Sequence, residues 1–385
     1  MRRIMVVFGT RPEAIKLAPL VLGLRDHPRF DVITTVTAQH RGLLDQVLDV
    51  FGIVPDDDLD ILQTGQTLVD VTTRALTGLV AAIERDHPDA VVVQGDTTTA
   101  FAGALGAFYA GVPVAHVEAG LRSGDIHAPF PEEMNRRLTT QLTALHLAPT
   151  PSARDNLVRE GVPRDAVVVT GNTVIDALRW AVAQDEPFTT PALTDLDTDD
   201  RPVLLVTAHR RESWGAGMRD IAAALRAIAE AEPGLLIVFP IHPNPVVRDT
   251  IVPVTAGLAN VRIIEPLAYG EFARLIARST LILTDSGGLQ EEGPSVGKPV
   301  LVMRDVTERP EAVASGNVAL VGTDRTRIVG SVLRLLRQPH DYARMAGAVN
   351  PYGDGRAVSR CMGALLHLLD GEPPPEEFRP ETPIG

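Results

Sequence analysis

Carboxylates follow two of the short apolar runs in the first half of the sequence. Asp96 comes two residues after the run Ala90–Gln94, and Glu118 comes directly after Val114–Val117. Because each stands beside glycine or alanine without an evident structural role, both are candidates for general acid–base chemistry. Glu132 is a third candidate, although a glutamate in the first turn of a helix is ordinarily a partner of the helix dipole.

The residues around Glu132 have ordinary structural explanations. Glu133 is interpreted as a dipole partner, and Glu132 has the i, i+4 spacing for a surface ion pair with Arg136. Such a pair contributes little to stability. We expect no metal site on these carboxylates, because no histidine or cysteine cluster in the sequence has ligand spacing.

A run of small residues in the second half is typical of a phosphate site. Ser286, Gly287 and Gly288 stand between a strand-like run and a predicted helix, where backbone N–H groups and the helix dipole favour an anion. A plain turn from strand to helix would have the same sequence. Basic residues that converge on this loop would favour a diphosphate, because a planar guanidinium binds phosphate bidentately. The candidate donors are Arg11, Lys16, His209, Arg210 and Arg309.

Two histidines, His209 and His242, also follow strand-like runs. Each is most simply a hydrogen-bonded structural residue. Because His209 stands beside two arginines, its charged form is disfavoured, and a neutral imidazole would donate to a nucleotide or sugar oxygen. The sequence contains no G-x-S-x-G, Walker or zinc motif, and GTRPEA replaces a dinucleotide fingerprint after the first strand. We therefore expect neither a covalent nucleophile nor tightly bound NAD.

The composition argues against several classes of partner. With a formal net charge of −13 and 4% aromatic residues, the chain lacks the basic and stacking surfaces typical of nucleic-acid binding. The uncharged stretch from Ala100 to Ala115 has 16 residues, fewer than the roughly 20 that a membrane span needs. The single cysteine, Cys361, cannot form an intrachain disulfide, which suits a reducing compartment. We expect a cytoplasmic protein without nucleic-acid or membrane partners.

Short apolar runs alternate with amphipathic stretches along the chain. Apolar strands that alternate with helices are typical of parallel sheets covered on both faces. Two sets of six such runs in 385 residues predict two doubly wound α/β domains, with ligands at the carboxyl ends of the strands. The predicted helices include Ala14–Arg25, Leu68–Arg85 and Met218–Ala231. The predicted strands are Ile4–Phe8, Val32–Thr37, Ala90–Gln94, Val114–Val117, Leu145–Ala148, Val167–Thr170, Val203–Thr207, Leu235–Phe239, Val261–Ile264, Thr280–Thr284, Val300–Met303 and Val318–Val321.

The boundary between the two domains is expected near residues 171–202. Within it, the segment 184–202 is rich in proline, threonine and acidic residues and reads as a linker or surface excursion. We assign 1–170 to the first domain and 171–355 to the second. The tail 371–385, which includes GEPPPEEFRPETPIG, is predicted to be disordered because it cannot bury much apolar surface.

These residues stand in longer strings that resemble the non-hydrolysing UDP-N-acetylglucosamine 2-epimerases. The likeness runs from about residue 4 to 370 and comprises many long motifs in order. It implies a GT-B fold: two Rossmann-like domains, the active site in the cleft between them, and a final helix, 356–370, that joins the first domain. The strings are GTRPEAIKLAPL (9–20), TAQHR (37–41), QGDTTTA (94–100), HVEAGLRSGD (116–125), PFPEEMNRRLT (129–139), GNTVIDAL (171–178), TAHRRES (207–213), DSGGLQEEGPSVGKPVLVMRDVTERPEA (285–312) and GDGRA (353–357).

The resemblance implies an elimination followed by a re-addition. UDP leaves carbon 1 while a base takes the carbon-2 proton, which gives 2-acetamidoglucal, and UDP then adds back with the proton delivered to the other face. No metal, flavin or other cofactor is implied. The implied catalytic residues are Asp96, Glu118, Glu132 and His209. The implied UDP-binding residues are Arg11, Lys16, His209, Phe272 near the uracil, Ser286, Gly287, Gly288, Glu292 on the ribose hydroxyls, and Arg309.

The resemblance also implies a homodimer, and it raises the question of substrate activation. Several bacterial members bind a second UDP-N-acetylglucosamine as an activator. Gln39, His40, Arg210 and His242 fall where that site would be. Gly42 departs from the pattern, because allosteric members usually carry a polar side chain, often glutamine, at this position.

Four alternatives remain at this point, and the first, within the epimerases, is that a related hexose nucleotide replaces the N-acetyl sugar as substrate. A hydrolysing 2-epimerase would release UDP and free N-acetylmannosamine. A GT-B glycosyltransferase would use one general base and an acceptor pocket. A non-catalytic sensor of sugar nucleotides would not need the three carboxylates Asp96, Glu118 and Glu132, and their presence argues against it.

Overall fold

The computed structural model describes residues 1–38 and 41–380, and the chain forms two compact units. The first unit comprises Met1–Trp180 and Tyr352–Arg379, and the second is built on Ala181–Pro351. The chain therefore leaves the first unit after Trp180 and re-enters it at Tyr352.

The first unit is a parallel sheet with helices between its strands. The strands are β1 (Arg2–Phe8), β2 (Phe30–Val36), β3 (Asp57–Asp58), β4 (Ala90–Gln94), β5 (Val114–Val117), β6 (Leu145–Ala148) and β7 (Val167–Val169). The helices are α1 (Arg11–Asp26), α2 (Arg41–Phe51), α3 (Leu68–Asp86), α4 (Thr98–Tyr109), α5 (Glu132–Leu142), α6 (Pro151–Arg159) and α7 (Thr173–Ala183). The strand order is β3-β2-β1-β4-β5-β6-β7. It reverses direction between β1 and β4, so the loops that follow these two strands are neighbours.

The second unit repeats this design with six parallel strands. The strands are β8 (Val203–Thr207), β9 (Leu236–Pro240), β10 (Val261–Ile264), β11 (Leu281–Thr284), β12 (Val300–Val302) and β13 (Val318–Leu320). The helices are α8 (Ala216–Ala231), α9 (Pro245–Thr255), α10 (Tyr269–Arg278), α11 (Leu289–Ser295), α12 (Pro310–Ser315), α13 (Arg325–Arg337) and α14 (Pro339–Ala346). The order β10-β9-β8-β11-β12-β13 is that of a Rossmann sheet, with its switch point between β8 and β11.

The strands form because both faces of each sheet are covered. In the first unit Met5 and Val7 of β1 pack with Val91 and Val93 of β4 in one apolar cluster, together with Leu79 of α3. These side chains are all fully buried, and apolar runs of this kind match parallel strands between two helix layers. Each of the twelve predicted strands is confirmed to within two residues at either end.

The last part of the chain returns to the first unit. Helix α15 (Ala357–Asp370) begins where the carboxylate of Asp176, in α7, accepts from the backbone N–H groups of Ala357 and Val358 at 3.2 and 3.0 Å. Because Asp176 makes this contact, α7 belongs largely to the first unit, and the first crossing lies later than the expected 170/171. The second crossing, at 351/352, lies slightly before the expected 355/356.

The prediction of a disordered tail is wrong for residues 371–380. Phe378 is buried, and its backbone N–H donates to the carbonyl of Val169 in β7 at 2.7 Å. The guanidinium of Arg360 lies 5.6 Å from the centre of the Phe378 ring. One aromatic residue thus anchors a segment whose average composition is that of a disordered chain. The last five residues, 381–385, lie outside the described residues.

The segment 184–202, interpreted as a linker or surface excursion, packs on the second unit. The carboxylate of Glu271 in α10 accepts hydrogen bonds from the backbone N–H groups and hydroxyls of Thr189 and Thr190. Leu193 and Leu196 are fully buried. Within residues 1–38 and 41–380, no helix is both long and apolar enough to cross a membrane.

Candidate active site

Glu118 follows β5 and is held by two neighbours in the first unit. Its backbone has φ of 62°, a left-handed conformation that side-chain-bearing residues rarely adopt. Its Oε2 lies 2.5 Å from Nζ of Lys16 and accepts from Nδ2 of Asn172 at 3.1 Å. Lys16, which the resemblance implied as a UDP ligand, is therefore paired with a candidate catalytic carboxylate in this structure.

Asp96 follows β4 and also carries a basic partner. Its Oδ2 lies 2.5 Å from Nη2 of Arg136 in α5, and its backbone carbonyl accepts from Nδ2 of Asn135 at 2.9 Å. Arg136 does not form the i, i+4 pair with Glu132 that the spacing suggested. Instead its Nη1 binds Oε2 of Glu133 at 3.0 Å, so Glu133 and Asp96 share one guanidinium.

Glu133 does more than face the helix dipole. It is fully buried and accepts from the backbone N–H of Ser123, from Arg136 and from Arg137. Burial acts to raise the pKa of the Glu133 carboxyl, but these donors hold the pKa below its usual value. Glu133 thereby orients Arg136, whereas Glu132, partly exposed at the start of α5, has no ion-pair partner within the described ranges.

The turn between β1 and α1 is closed by a glutamate that the sequence analysis did not single out. Glu13 is 1% exposed; its Oε2 accepts from the N–H groups of Gly9 and Thr10, at 3.1 and 2.9 Å, and its Oε1 from Oγ1 of Thr97 at 2.6 Å. Burial raises the pKa of its carboxyl to about 7, against the effect of these donors. The spacing Thr10-x-x-Glu13, a capping box, was the available signal. Glu13 ties the turn after β1, directly before Arg11, to the loop after β4, which bears Asp96.

His116, in β5, supports the loop after β4. Its Nε2 lies 2.7 Å from the carbonyl oxygen of Gly95, directly before Asp96, so this nitrogen carries the proton and donates. Burial lowers the pKa of His116 to about 4, which keeps the imidazole neutral. The position of Asp96 therefore depends on a neutral donor inside the sheet.

In the second unit, Asp285 organises the loops after β8 and β11. Its Oδ2 accepts from the backbone N–H groups of His209 and Arg210 at 2.7 and 2.8 Å, and its Oδ1 lies 3.0 Å from Nδ1 of His209. Burial acts to raise the pKa of Asp285, but the His209 side chain and the two N–H groups lower it. The ring of His209 is stacked at 5.8 Å on that of His242, which is exposed.

The loop Ser286–Gly288 lies beside a guanidinium, as its sequence suggested. A Cβ at Gly287 would approach Nη1 of Arg309 to 3.0 Å, and a Cβ at Gly288 would lie 3.3 Å from Oε2 of Glu292. Arg309 is oriented by Glu291, whose Oε1 lies 2.5 Å from its Nε. Because glycine at 287 and 288 has no side chain, a ligand can approach the backbone closely next to a cation, an arrangement that can hold a phosphate.

The structure describes some of the remaining candidates and not others. Phe272 is half-buried in α10, and Arg210 is paired with Glu308 at 3.4 Å. Gln39 and His40 lie outside the described residues, and Gly42 is exposed in α2 with open space where a side chain would stand. The structure places the candidates in two groups, each at the carboxyl ends of its own sheet. The first group is Arg11, Lys16, Asp96, Glu118 and Glu132; the second is His209, Arg210, His242, Phe272, Ser286, Gly287, Gly288, Glu292 and Arg309.

Comparison with known proteins shows the family of the chain. The model of the UDP-N-acetylglucosamine 2-epimerase family matches residues 23–366. The chain belongs to this family. The resemblance on which the sequence analysis relied is therefore confirmed.

Relatives of the chain carry the same description. It is 50% identical to the UDP-N-acetylglucosamine 2-epimerase of Escherichia coli K12, over 94% of this chain and 98% of that protein. Among solved structures, the Neisseria meningitidis UDP-GlcNAc 2-epimerase bound to UDP-GlcNAc is 46% identical with a TM-score of 0.84, covering 94% of this chain and 99% of that one. The UDP co-structure of MnaA from S. aureus is 44% identical with a TM-score of 0.85, over 98% and 100% of the two chains. The predicted two-domain α/β fold of the GT-B type is confirmed.

Proposed function

We propose that the chain interconverts UDP-N-acetylglucosamine and UDP-N-acetylmannosamine by inverting carbon 2. The observation that carries the proposal is the set of paired carboxylates at the carboxyl ends of neighbouring strands of the first sheet. Glu118 is held by Lys16 and Asp96 by Arg136, at 2.5 Å each. The identity of the substrate is inferred from the family to which the chain belongs.

The reaction needs proton transfer at carbon 2 and departure of a diphosphate from carbon 1. A carboxylate takes the carbon-2 proton, the C2–H electrons form the C1–C2 double bond, and the C1–O bond breaks with its electrons on UDP. In the second half-reaction a general acid on the other face delivers a proton to carbon 2, the electrons of the C1–C2 double bond form the new C2–H bond, and an oxygen of UDP forms the C1–O bond again. We assign the proton transfers to Asp96, Glu118 and Glu132, because general acids and bases on both faces of carbon 2 are required.

Residues of the second unit would hold UDP through both half-reactions. Gly287 and Gly288 would let a phosphate approach the backbone closely, and Arg309 supplies a guanidinium next to them. The imidazole of His209, oriented by Asp285, would donate to a phosphate oxygen, and developing charge on the leaving diphosphate is thereby stabilised. Glu292 and Phe272 would take the ribose and the uracil.

The first test is incubation with UDP-N-acetylglucosamine in heavy water, followed by NMR. UDP-N-acetylmannosamine deuterated at carbon 2 is the expected product. Free N-acetylmannosamine with accumulating UDP would instead identify a hydrolysing enzyme. Tight UDP binding without any change of the sugar would contradict the proposal in favour of a transferase or a sensor.

The matching variant is Glu118→Gln. Loss of the carboxylate should lower kcat by about 100-fold or more, since general acid–base groups contribute typically 10²–10⁴-fold. Asp89→Asn is the control, because Asp89 forms an ion pair with Arg2 at the opposite end of the same sheet. Equal activities of the two variants would remove Glu118 from the mechanism.

We also propose a homodimer that works in the cytoplasm, as the family resemblance implies. Light scattering behind a size-exclusion column should give twice the chain mass of 41.3 kDa. A mass of one chain across the concentration range of the assay would contradict the dimer.

A further inference from the structure

The amide of Asn172 points at Glu118 in a defined orientation. Its side chain is 2% exposed, and its Oδ1 accepts from the backbone N–H of Val174 at 3.2 Å at the start of α7. Because Oδ1 is occupied in this way, Nδ2 faces the opposite direction. There it donates to Oε2 of Glu118 at 3.1 Å.

The backbone that carries this amide is itself anchored. The N–H of Asn172 donates to the carbonyl of Tyr352 at 2.7 Å, where the chain re-enters the first unit. A Cβ at Gly171 would lie 3.3 Å from the Cα of Gly353, so the two segments meet backbone to backbone. The backbone that carries the Nδ2 group of Asn172 is therefore held in place.

Glu118 needs such a partner more than an ordinary carboxylate does. Its φ of 62° persists only where the surroundings determine it, because this region is unfavourable for a residue with a side chain. Lys16 supplies charge to the same oxygen, but it does so at the end of a flexible four-carbon stem. The short planar amide of Asn172 fixes the orientation of the Glu118 carboxylate.

We propose that Asn172 is a positioning residue of the epimerisation, whose amide holds the Glu118 carboxylate in the orientation that exchanges a proton with carbon 2. The proposal rests on the proposed function and on the role of Glu118 in it. Asn172 keeps its own protons throughout and does not touch the sugar.

The test uses Asn172→Ser and Asn172→Asp in the full chain. Serine and aspartate both cap a helix start as asparagine does, so the start of α7 is preserved. Serine is too short to reach Glu118, and aspartate places a second carboxylate about where the donor stood, where like charges compete for a proton. Misplacement of a reacting group by about 1 Å can cost 100-fold, so we expect kcat to fall by about that factor in Asn172→Ser, and further in Asn172→Asp.

The Kd for UDP, the KM for UDP-N-acetylglucosamine and the Tm should stay close to wild type. Asn156→Ser and Asn156→Asp are the matched controls, because Nδ2 of Asn156 donates to the backbone carbonyl of Gly120 at 3.0 Å. These controls should retain wild-type kcat.

Two results would overturn the positioning role. One is a wild-type kcat in Asn172→Ser; the other is a fall in UDP affinity or Tm that accompanies the fall in kcat in both variants, which would make Asn172 structural. Failure of the proposed function is distinguishable, because it would show as full activity in Glu118→Gln or as no epimerisation by the wild-type chain.

Discussion

Each unit has a buried carboxylate that accepts backbone N–H groups at its switch point. In the first unit Glu13 accepts from Gly9 and Thr10; in the second Asp285 accepts from His209 and Arg210. Loops at a switch point carry ligand-binding residues, and their free N–H groups need acceptors when no ligand is bound. These two carboxylates hold the loops in position although neither was in the predicted site.

The two differ in how their environment affects protonation. The pKa of Asp285 is lowered, chiefly by the His209 side chain, despite its burial, whereas burial raises the pKa of Glu13 to about 7. An acid whose pKa is raised on folding contributes stability that is fully present below its unfolded value and is lost as the pH rises through the folded value. For Glu13 this window runs from the unfolded value of 4.5 to about 7.

Glu13→Gln should therefore flatten the pH dependence of stability. The difference between the two pKa values corresponds to about 3 kcal/mol, most of which the wild-type chain loses between pH 5 and 8 and the variant does not. The measurement is Tm against pH across this range. Asp70→Asn is the control, since Asp70 closes the capping box of α3 with Thr67 on the surface and its pKa is lowered. Its loss should leave the slope from pH 5 to 8 unchanged, and an unchanged slope in Glu13→Gln would contradict the assignment.

Residue types at strand ends predicted the candidate groups, but not their partners. Asp96 and Glu118 were recognised because a carboxylate after an apolar run has few structural explanations. That Arg136 serves Asp96, and that Asn172 serves Glu118, depends on contacts between segments far apart in the sequence. Nothing in local spacing encodes such contacts, and the Glu132–Arg136 pair that the spacing allowed does not form, because Arg136 binds Asp96 and Glu133.

At the scale of elements, the pattern of apolar residues was sufficient to predict the strands that are apolar along their length. Within residues 1–38 and 41–380, the one strand it missed is β3, because Asp57–Asp58 contains no apolar residue and pairs with the end of β2 at the sheet edge. The tail was misjudged for a related reason. Average composition describes a segment well only when no single side chain anchors it, and Phe378 does so here.

Phe378→Ala should measure that anchor. Removal of a buried phenylalanine side chain costs about 3 kcal/mol or more, so we expect a loss of that order in the free energy of unfolding. Denaturant titration gives the value, with Arg379→Ala as the neighbouring exposed control. A loss below 0.5 kcal/mol, the range of about ±0.5 kcal/mol for ordinary surface substitutions, would mean that the tail is not anchored by this ring.

At the scale of the whole molecule, ligand binding should increase the free energy of unfolding. UDP at about 100 times its Kd should raise the free energy of unfolding by about 2.7 kcal/mol, as mass action requires. Uridine at the same concentration should have a much smaller effect, because it leaves Arg309 and the loop Ser286–Gly288 without a phosphate. Calorimetry with both ligands tests this, and equal shifts would exclude the loop as the diphosphate site.

The two crossings of the chain also set an order of events during synthesis. Residues 181–351 emerge from the ribosome as one uninterrupted stretch, whereas the first unit is missing α15 and the anchored tail until residues 352–379 have followed. The face of α1 on which Val358 and Met362 approach Gly23 stays uncovered during that interval. The first unit, most of which is translated before the second, is therefore the unit that is completed last.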